Sequence, residues 1–215
     1  PKGSVSAPKV ILCVNGHLQS FGFLKQRLMH IFLCASMTRA MTTEEIRRLG
    51  GAPSWGVAPA NPFGSSVRKI FGVGGHRILM RNKFHFNSTM EAYDRDIQRT
   101  VRNHDRSFQR RFPMLKNLEM EYRWGGRLCL SWNGVPVFGE IEDGLFAACC
   151  QNGVGVSKGT LSGILAAEYA SGFQNIYIED YLNEKQPTRL PPEPIATLGA
   201  TAYLNWQEWR AGLEK

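Results

Sequence analysis

The chain has 215 residues, of which 43% are hydrophobic and 20% charged, and its net charge is +8. These values are ordinary for a globular protein with a sizeable core, so they exclude a disordered, collagen-like or coiled-coil chain. No apolar run approaches the roughly 20 residues of a membrane helix and no secretory signal opens the sequence, so we expect no membrane partner and a cytoplasmic location.

The first predicted elements are two strands and a short helix. The apolar run Lys9–Asn15 ends in Asn-Gly, the pattern of a strand followed by a turn, and Met29–Thr38 has strand composition. Thr42 or Thr43 can cap a helix that stops at Gly50-Gly51.

Short strands follow. The segments Val67–Val73, His76–Arg81 and Lys83–Phe86 are separated by Gly74-Gly75 and Asn82. This spacing predicts a meander of three antiparallel strands.

An amphipathic helix is predicted to continue to Phe112, before Pro113. Five arginines recur at helical spacing on one face: Arg95, Arg99, Arg102, Arg106 and Arg110. With Asp94, Asp96 and Asp105 nearby, a solvated face is the simplest interpretation of this charge. The alternative is a basic nucleic-acid-binding surface, although no recognisable nucleic-acid module accompanies it.

The next predicted elements are strands. Leu118–Ser131 is predicted as a long strand region broken at Gly125-Gly126, and Asn133-Gly134 as a hairpin turn before a strand at Val135–Phe138. Gly144–Cys150 has the composition of a buried strand.

Two helices complete the chain. Small residues predict a helix over Gly159–Ala170, closed by Gly172, and a last helix spans Tyr203–Arg210 after a Pro-rich stretch. The fold class predicted from all elements is α+β, with a mixed, largely antiparallel sheet and helices packed on it.

The spacing of the cysteines and histidines in the sequence does not predict a metal site. There are five cysteines, an odd number, with no CxxC pair and no Cys/His spacing typical of a metal, so we expect reduced, buried thiols. The five histidines are scattered, and we expect structural roles for them.

The strongest chemical candidate is the loop Gln151–Ser157, between the strand ending at Cys150 and the following helix. Its glycines let the backbone approach a ligand, and a helix start favours an anionic or electron-rich group. One alternative is a dinucleotide fingerprint, with a strand Asn175–Ile178 ending at Glu179, although Lys158 stands where that motif needs its third glycine. Another is a purely structural turn.

Several blocks taken together resemble one family. They are, in order, Tyr122–Arg127, Trp132–Gly139, Gly144–Ala148, Asn152–Val156 and Gly163–Glu168. Their order and spacing are similar to the C-terminal part of the FAD-dependent amino-acid and amine oxidases, the family of D-amino-acid oxidase, glycine oxidase, sarcosine oxidase and gamma-glutamylputrescine oxidase. Lys9–Gly16 and Gly75–Arg81 also resemble segments of that family.

The resemblance implies an activity and a cofactor. A small-molecule amine or amino acid would give a hydride to the flavin, and the imine product would be hydrolysed. The cysteine that holds FAD covalently in some members falls near Gly126 here, so the resemblance implies non-covalent FAD. Asn133 replaces the usual acid before the Gly-x-Pro turn, and the usual glycine-histidine pair is absent around Cys149–Gln151, so the pocket or its redox properties would differ.

The resemblance also implies roles for particular residues. The cofactor-binding residues would be Asn152, Gly153, Val154, Gly155, Val156 and Ser157, with their amides towards the flavin ring. Arg127 would bind the substrate carboxylate. The alternative for Arg127 is an ordinary ion pair on a sheet.

The resemblance further implies a domain organisation. Residues 1–20 would be a returning strand of a truncated FAD-binding domain, 21–130 a substrate domain, 131–185 the C-terminal segment of a Rossmann-type FAD-binding domain, and 186–215 a Pro-rich tail with a short helix. We therefore expect a C-terminal fragment that binds FAD weakly or not at all and is inactive alone. Two alternatives remain, namely a basic nucleic-acid-binding module, which is not the expected partner class, and a non-catalytic domain that assembles with a separate FAD-binding chain.

Overall fold

The computed structural model describes residues 3–91 and 93–214, and it contains eight strands and five α-helices within them. The strands are β1 (Val10–Leu12), β2 (Met29–Thr38), β3 (Trp55–Val57), β4 (Ser66–Gly72), β5 (Gly75–Phe86), β6 (Met120–Leu130), β7 (Val137–Glu142) and β8 (Leu145–Cys149). The helices are α1 (Thr43–Leu49), α2 (Asp94–Arg111), α3 (Gly155–Ala170), α4 (Ile176–Asn183) and α5 (Ile195–Arg210). The predicted α+β class is confirmed. None of the described helices combines the length and apolar composition that a bilayer crossing requires.

The chain divides into two compact units. The first unit comprises the N-terminal segment up to His30 together with Leu128–Ala196, and the second comprises Ile31–Arg127 together with the segment from Thr197 onward. Each unit has its own sheet and its own apolar core.

The first unit contains a three-stranded mixed sheet in the order β1-β8-β7. β1 pairs with β8 in parallel, with Val10 opposite Leu145, and β7 pairs with β8 in antiparallel fashion. The buried core comprises Leu18, Leu28, Cys129, Val137, Ala147, Cys149 and Cys150. The sheet therefore places the end of β1 beside the end of β8.

The second unit contains a five-stranded sheet in the order β3-β4-β5-β2-β6. Helix α2 contributes the buried side chains of Thr100, His104, Ser107 and Phe108. The apolar cluster comprises Met41, Val67, Ile78, Met80, Phe108, Phe112, Leu115 and Leu118. Through Phe108, the inner face of α2 packs against this cluster.

Several predicted strands differ from the structure. The predicted break at Asn82 is wrong, because β5 is continuous and accommodates Lys83 as an extra residue with φ +67° opposite the Leu33/Cys34 step of β2. The predicted break at Gly125-Gly126 is also wrong, since β6 runs through both glycines. Asn133-Gly134 does form a turn, but β6 and β7 belong to different sheets, so the turn does not connect a hairpin.

Two predicted helix starts and one predicted strand also need correction. Helix α3 begins at Gly155 rather than Gly159, and α5 begins at Ile195 rather than Tyr203. The predicted strand Asn175–Ile178 is wrong, because this segment starts α4. Asn175 caps that helix, its Oδ1 accepting from the amide of Ile178 at 3.0 Å.

Candidate functional site

The candidate site is built around the turn between β8 and α3. Cys150, Asn152 and Gly153 have φ values of +59°, +50° and +89°, so the chain reverses through three left-handed residues. Glycine adopts this conformation without cost and asparagine tolerates it, whereas a cysteine there is strained. The amide of Val154 closes the turn by donating to the carbonyl of Gln151 at 3.1 Å.

Two asparagines hold this turn in place. The Asn152 Oδ1 accepts from the amide of Ser131 at 2.8 Å, while its Nδ2 donates to the Cys150 carbonyl at 3.0 Å. The Oδ1 of Asn15, just after β1, accepts from the amide of Cys150 at 3.2 Å. The sequence prediction missed Asn15, although its Asn-Gly pair was a signal for a left-handed turn residue beside a strand.

The start of α3 offers unused hydrogen-bond donors. The amides of Gly155, Val156 and Ser157 precede the first intrahelical bond, in which Lys158 donates to the Val154 carbonyl at 3.1 Å. No side chain caps the helix and its first turn has no acidic residue. Residues 153–158 are exposed, so the predicted loop is open, although the Val154 amide is already used within the turn.

A cavity of about 260 Å³ adjoins this helix start. It is lined by Cys13, Asn15, Leu128, Cys129, Ala148, Cys149, Gln151, Gly153, Gly155, Gly159 and Gly163, none of them charged. A Cβ added at Gly153, Gly155 or Gly163 would meet no atom within 4 Å, which shows free space beside the backbone. The cavity therefore admits a ligand close to the main chain.

An unpaired amide side chain lines the same cavity. Both Gln151 Nε2 and Oε1 are buried without a hydrogen-bond partner among the described residues. A buried amide without partners costs free energy, so a ligand that pairs with Gln151 would recover it. The site thus combines a donor and an acceptor with the positive end of a helix.

The buried thiols of Cys129 and Cys149 place no negative charge beside that positive end, whereas the hydrogen bond with Cys129 lowers the pKa of the Cys150 thiol. All five cysteines are free, and the prediction of buried thiols holds for four of them but is wrong for Cys13, which is exposed just after β1. Burial raises the pKa of the Cys149 thiol to about 12, and a hydrogen bond with Cys150, together with burial, raises the pKa of Cys129. Cys129 and Cys149 are therefore neutral at pH 7, and the electrostatic character of the cavity comes from the helix start.

Arg127 lies in the second unit, on β6. Its Nη2 contacts Glu91 Oε2 at 2.8 Å, and both side chains are about half exposed, at 51% and 52%. An exposed ion pair of this kind contributes at most about 1 kcal/mol, so Glu91 does not lock the guanidinium. The geometry is that of the sheet ion pair considered above, and binding of a carboxylate by Arg127 stays a prediction.

The structure also bears on one alternative for the glycine loop, the dinucleotide fingerprint. The dinucleotide fingerprint needed a strand ending at Glu179, and that residue lies instead in the first turn of α4. Among residues 3–91 and 93–214, no group of His, Cys, Asp or Glu is arranged to hold a metal ion.

Comparison with known proteins identifies the family of this arrangement. The gamma-glutamylputrescine oxidoreductase of Escherichia coli (strain K12) is 34% identical over 61 residues, which are 28% of this chain and 14% of that protein. The glycine oxidase from Geobacillus kaustophilus is similar with a TM-score of 0.63 at 18% identity, over 87% of this chain and 47% of that one. A modified fructosyl peptide oxidase from Aspergillus nidulans has a TM-score of 0.63 at 12% identity, over 87% and 51%.

The structural likenesses show a shared fold, and the chain spans about half the length of these solved structures. A family model described as FAD dependent oxidoreductase matches residues 1–169. Because this match covers most of the 215 residues, the chain belongs to the family of FAD-dependent oxidoreductases.

Proposed function

We propose that this chain is the C-terminal part of an enzyme that oxidises a small-molecule amine or amino acid with FAD. The observation that carries the proposal is the uncapped start of α3 beside a cavity lined by Gln151, whose buried side-chain amide has no hydrogen-bond partner among the described residues. Such a site fits an electron-rich, planar ring edge, because backbone donors and a helix start stabilise negative charge.

The residues around the cavity fit an isoalloxazine ring. The amides of Gly155, Val156 and Ser157 would donate to its carbonyl edge, and Gln151 supplies a further donor and acceptor. Asn152, Gly153 and Val154 would hold the turn in the shape that presents those amides. FAD would supply the electron acceptor for the oxidation of the amine, and the protein would orient the two reactants.

Arg127 would recognise the substrate. A guanidinium can bind a carboxylate through two parallel hydrogen bonds, which fixes the orientation of an amino acid as well as its position. Because the pair with Glu91 is exposed, a substrate carboxylate could replace Glu91 at little cost.

The remaining contacts to FAD would come from another part of the protein. The outer surface of the first unit exposes several large apolar side chains of α3, α4 and the segment between them: Leu161, Ile164, Phe173, Ile176 and Tyr177. Exposed apolar clusters of this kind mark interaction surfaces. We propose that an FAD-binding domain of the same protein, or a separate chain, covers this face, and that the 215 residues alone bind FAD weakly and are inactive.

A negative charge introduced at position 155 by substitution of Gly155 tests the proposal. In the natural protein that contains this chain, Gly155→Asp places a carboxylate at the first residue of α3, whereas Gly155→Asn adds a neutral side chain of the same size. A side chain fits there because a Cβ meets no atom within 4 Å. Both side chains occupy space that the ligand would use, so we expect both variants to lose FAD affinity, measured from the visible flavin spectrum during dialysis, and the Asp variant to lose at least tenfold more than the Asn variant.

Protein stability provides the internal control. An aspartate in the first turn stabilises a helix by about 0.3–1 kcal/mol, so the Asp variant should unfold at an equal or higher temperature while it loses flavin. Equal FAD affinity in the two variants, or a native protein without a flavin spectrum, would contradict the proposal.

A further inference from the structure

The outer face of α2 carries a continuous row of guanidinium groups, which we call the arginine stripe. It consists of Arg95, Arg99, Arg102, Arg106 and Arg110, all exposed. At 100° per residue these positions fall within a sector of about 80°, and 15 residues at 1.5 Å each give the stripe a length of about 22 Å. The stripe is therefore narrow, and it runs along almost the whole length of α2.

The aspartates near the stripe do not neutralise most of it. Asp105 pairs with Arg123 of β6 at 2.6 Å, and the Oδ2 of Asp96 accepts from the amide of Tyr93 at the helix start, at 3.3 Å. Asp96 also lies 3.6 Å from Arg99. Within the described part of the chain, no carboxylate forms an ion pair with Arg102, Arg106 or Arg110. The face is solvated, as the simplest interpretation of the sequence has it, and three of its five charges have no carboxylate partner among the described residues.

Apolar side chains are scarce along the stripe. Among the described residues its aromatic neighbour is Tyr93, just before α2, over whose ring the Arg95 guanidinium lies at 4.7 Å. The stripe's exposed neighbours on the same face are Gln98 and Gln109, while Phe108 is buried at 2% exposure. Protein interfaces are centred on buried aromatic or aliphatic side chains, and membrane-surface helices insert an apolar face. Binding to phosphates needs neither, because its free energy comes from charge neutralisation and counterion release.

We infer that the arginine stripe binds the phosphodiester backbone of a nucleic acid, independently of base sequence. Guanidinium groups match phosphate oxygens with two hydrogen bonds each, and the stripe contains no lysine. Each strand of duplex DNA carries one phosphate per roughly 3.4 Å of the duplex axis, so a length of about 22 Å spans more phosphates than the stripe has arginines. This inference is independent of the oxidoreductase site in the first unit.

Salt dependence of binding tests the inference. The probe is a fluorescein-labelled strand of 20 deoxythymidines, titrated with the 215-residue chain by fluorescence anisotropy between 50 and 200 mM NaCl. Five phosphate contacts predict a slope of log K against log salt of about −3.5 for a single strand, so the affinity should fall about a hundredfold over this range.

Three variants assign the effect to the stripe. Arg102→Gln/Arg106→Gln should bring the slope about 1.4 closer to zero, since each lost contact contributes about 0.7. Arg47→Gln/Arg48→Gln removes the same charge from exposed positions of α1 and should leave the slope unchanged. Arg102→Lys/Arg106→Lys should keep the slope and lower the affinity several-fold, because lysine keeps the charge and loses the bidentate geometry.

Other outcomes would overturn the inference. One is absence of binding at 50 mM NaCl, and another is an equal change of slope in the α1 and α2 glutamine variants. A third is binding to phosphatidylserine vesicles or to polyglutamate that depends on Arg102 and Arg106 while the oligonucleotide does not bind. That result would assign the stripe to a membrane or to an acidic protein. Unchanged thermal unfolding of each variant verifies that its fold is intact.

Discussion

Arg127 is the residue on which the proposed choice of substrate depends. In the proposed full-length enzyme, we expect Arg127→Ala to raise KM for the amino-acid or amine substrate by about 10- to 1000-fold, because a lost charge-assisted pair costs roughly 1.5–4 kcal/mol. Steady-state kinetics measures this change. Arg127→Lys should recover part of the loss, since it keeps the charge without the planar fork.

Glu91 provides the matched control for Arg127. Glu91→Gln removes the carboxylate that Arg127 contacts at 2.8 Å, and this pair is half exposed. KM should therefore stay within about twofold or fall slightly, as the guanidinium becomes freer to bind a carboxylate. An unchanged KM in Arg127→Ala would remove Arg127 from the substrate site.

The turn between β8 and α3 shows which contacts of the candidate site could be predicted from the sequence and which could not. Gly153 and Gly155 could be found from the sequence because glycine marks close approach of backbone to a ligand. The side chains of Asn15 and Asn152 act on backbone atoms far away in the chain, at Cys150 and Ser131. Nothing local in the sequence indicates such contacts, and the pairing of β1 with β8 brings Asn15 to Cys150.

Helix α1 illustrates an element whose ends could be predicted in full. Thr42 and Glu45 form a capping box, in which the amide of Glu45 donates to Thr42 Oγ1 at 3.2 Å and Glu45 Oε2 accepts from the amide of Thr42 at 2.8 Å. Arg39 also pairs with Glu45 at 2.7 Å and, through that hydrogen bond, lowers the pKa of Glu45 to about 2.

The depressed pKa of Glu45 predicts a pH dependence of stability. In the unfolded chain the carboxyl titrates near 4.3, so its stabilisation is fully present above about pH 4.5 and is lost as the pH falls towards 2. Glu45→Gln keeps the capping bond but removes the charge. We expect it to lower the free energy of unfolding by about 1–3 kcal/mol at pH 6, measured by urea denaturation, and much less at pH 2.5.

A neighbouring carboxylate on α1 separates this effect from a general loss of charge. Glu44→Gln removes the same charge, but Glu44 pairs with Arg47 and Arg48 at the exposed surface. Its effect at pH 6 should be close to zero, because exposed pairs contribute little. Equal destabilisation by the two substitutions would show that the Arg39 pair is not the cause.

The bounds of secondary-structure elements could be predicted where residues at their ends signal a start or a stop. The prediction failed where contacts with residues distant in the sequence determine the type or the continuity of the element. Strand β2 has the predicted bounds, and α1 starts after the predicted cap. At Asn175, the apolar residues that follow suited a strand as well as a helix. There the capping bond to Ile178 and the bond from Asn175 Nδ2 to Glu168 at 3.0 Å favour the helix. The continuity of β6 through two glycines likewise depends on its sheet neighbour.

At the scale of the whole molecule, the apolar surface of the first unit predicts association. Ile164 and Ile176 are 54% and 66% exposed in the 215-residue chain. We expect sedimentation velocity to detect concentration-dependent association of the native chain at tens of micromolar, and Ile164→Lys/Ile176→Lys to sediment as a monomer, because the charges are costly to bury in an interface.

A control elsewhere on the molecule makes that result specific. Val57 and Phe71, of the second unit, are 57% and 62% exposed. Val57→Lys/Phe71→Lys changes charge and apolar exposure to a similar extent, and this variant should associate like the native chain. A native chain that stays monomeric at all concentrations would argue against the proposed docking face.

The parallel pairing of β1 with β8 has a consequence for synthesis of the protein. Val10 can pair with Leu145 only after Leu145 has left the ribosome, and Asn15 can accept its hydrogen bond only after Cys150 has been synthesised. At roughly 5–20 residues per second, this delay is about 7–27 seconds. Residues 31–127, in contrast, emerge together and can begin to fold during that time. The turn around Gly153 therefore forms only after the strands within residues 31–127 have left the ribosome, and the exposed edge of β1 needs shielding from off-pathway contacts until then.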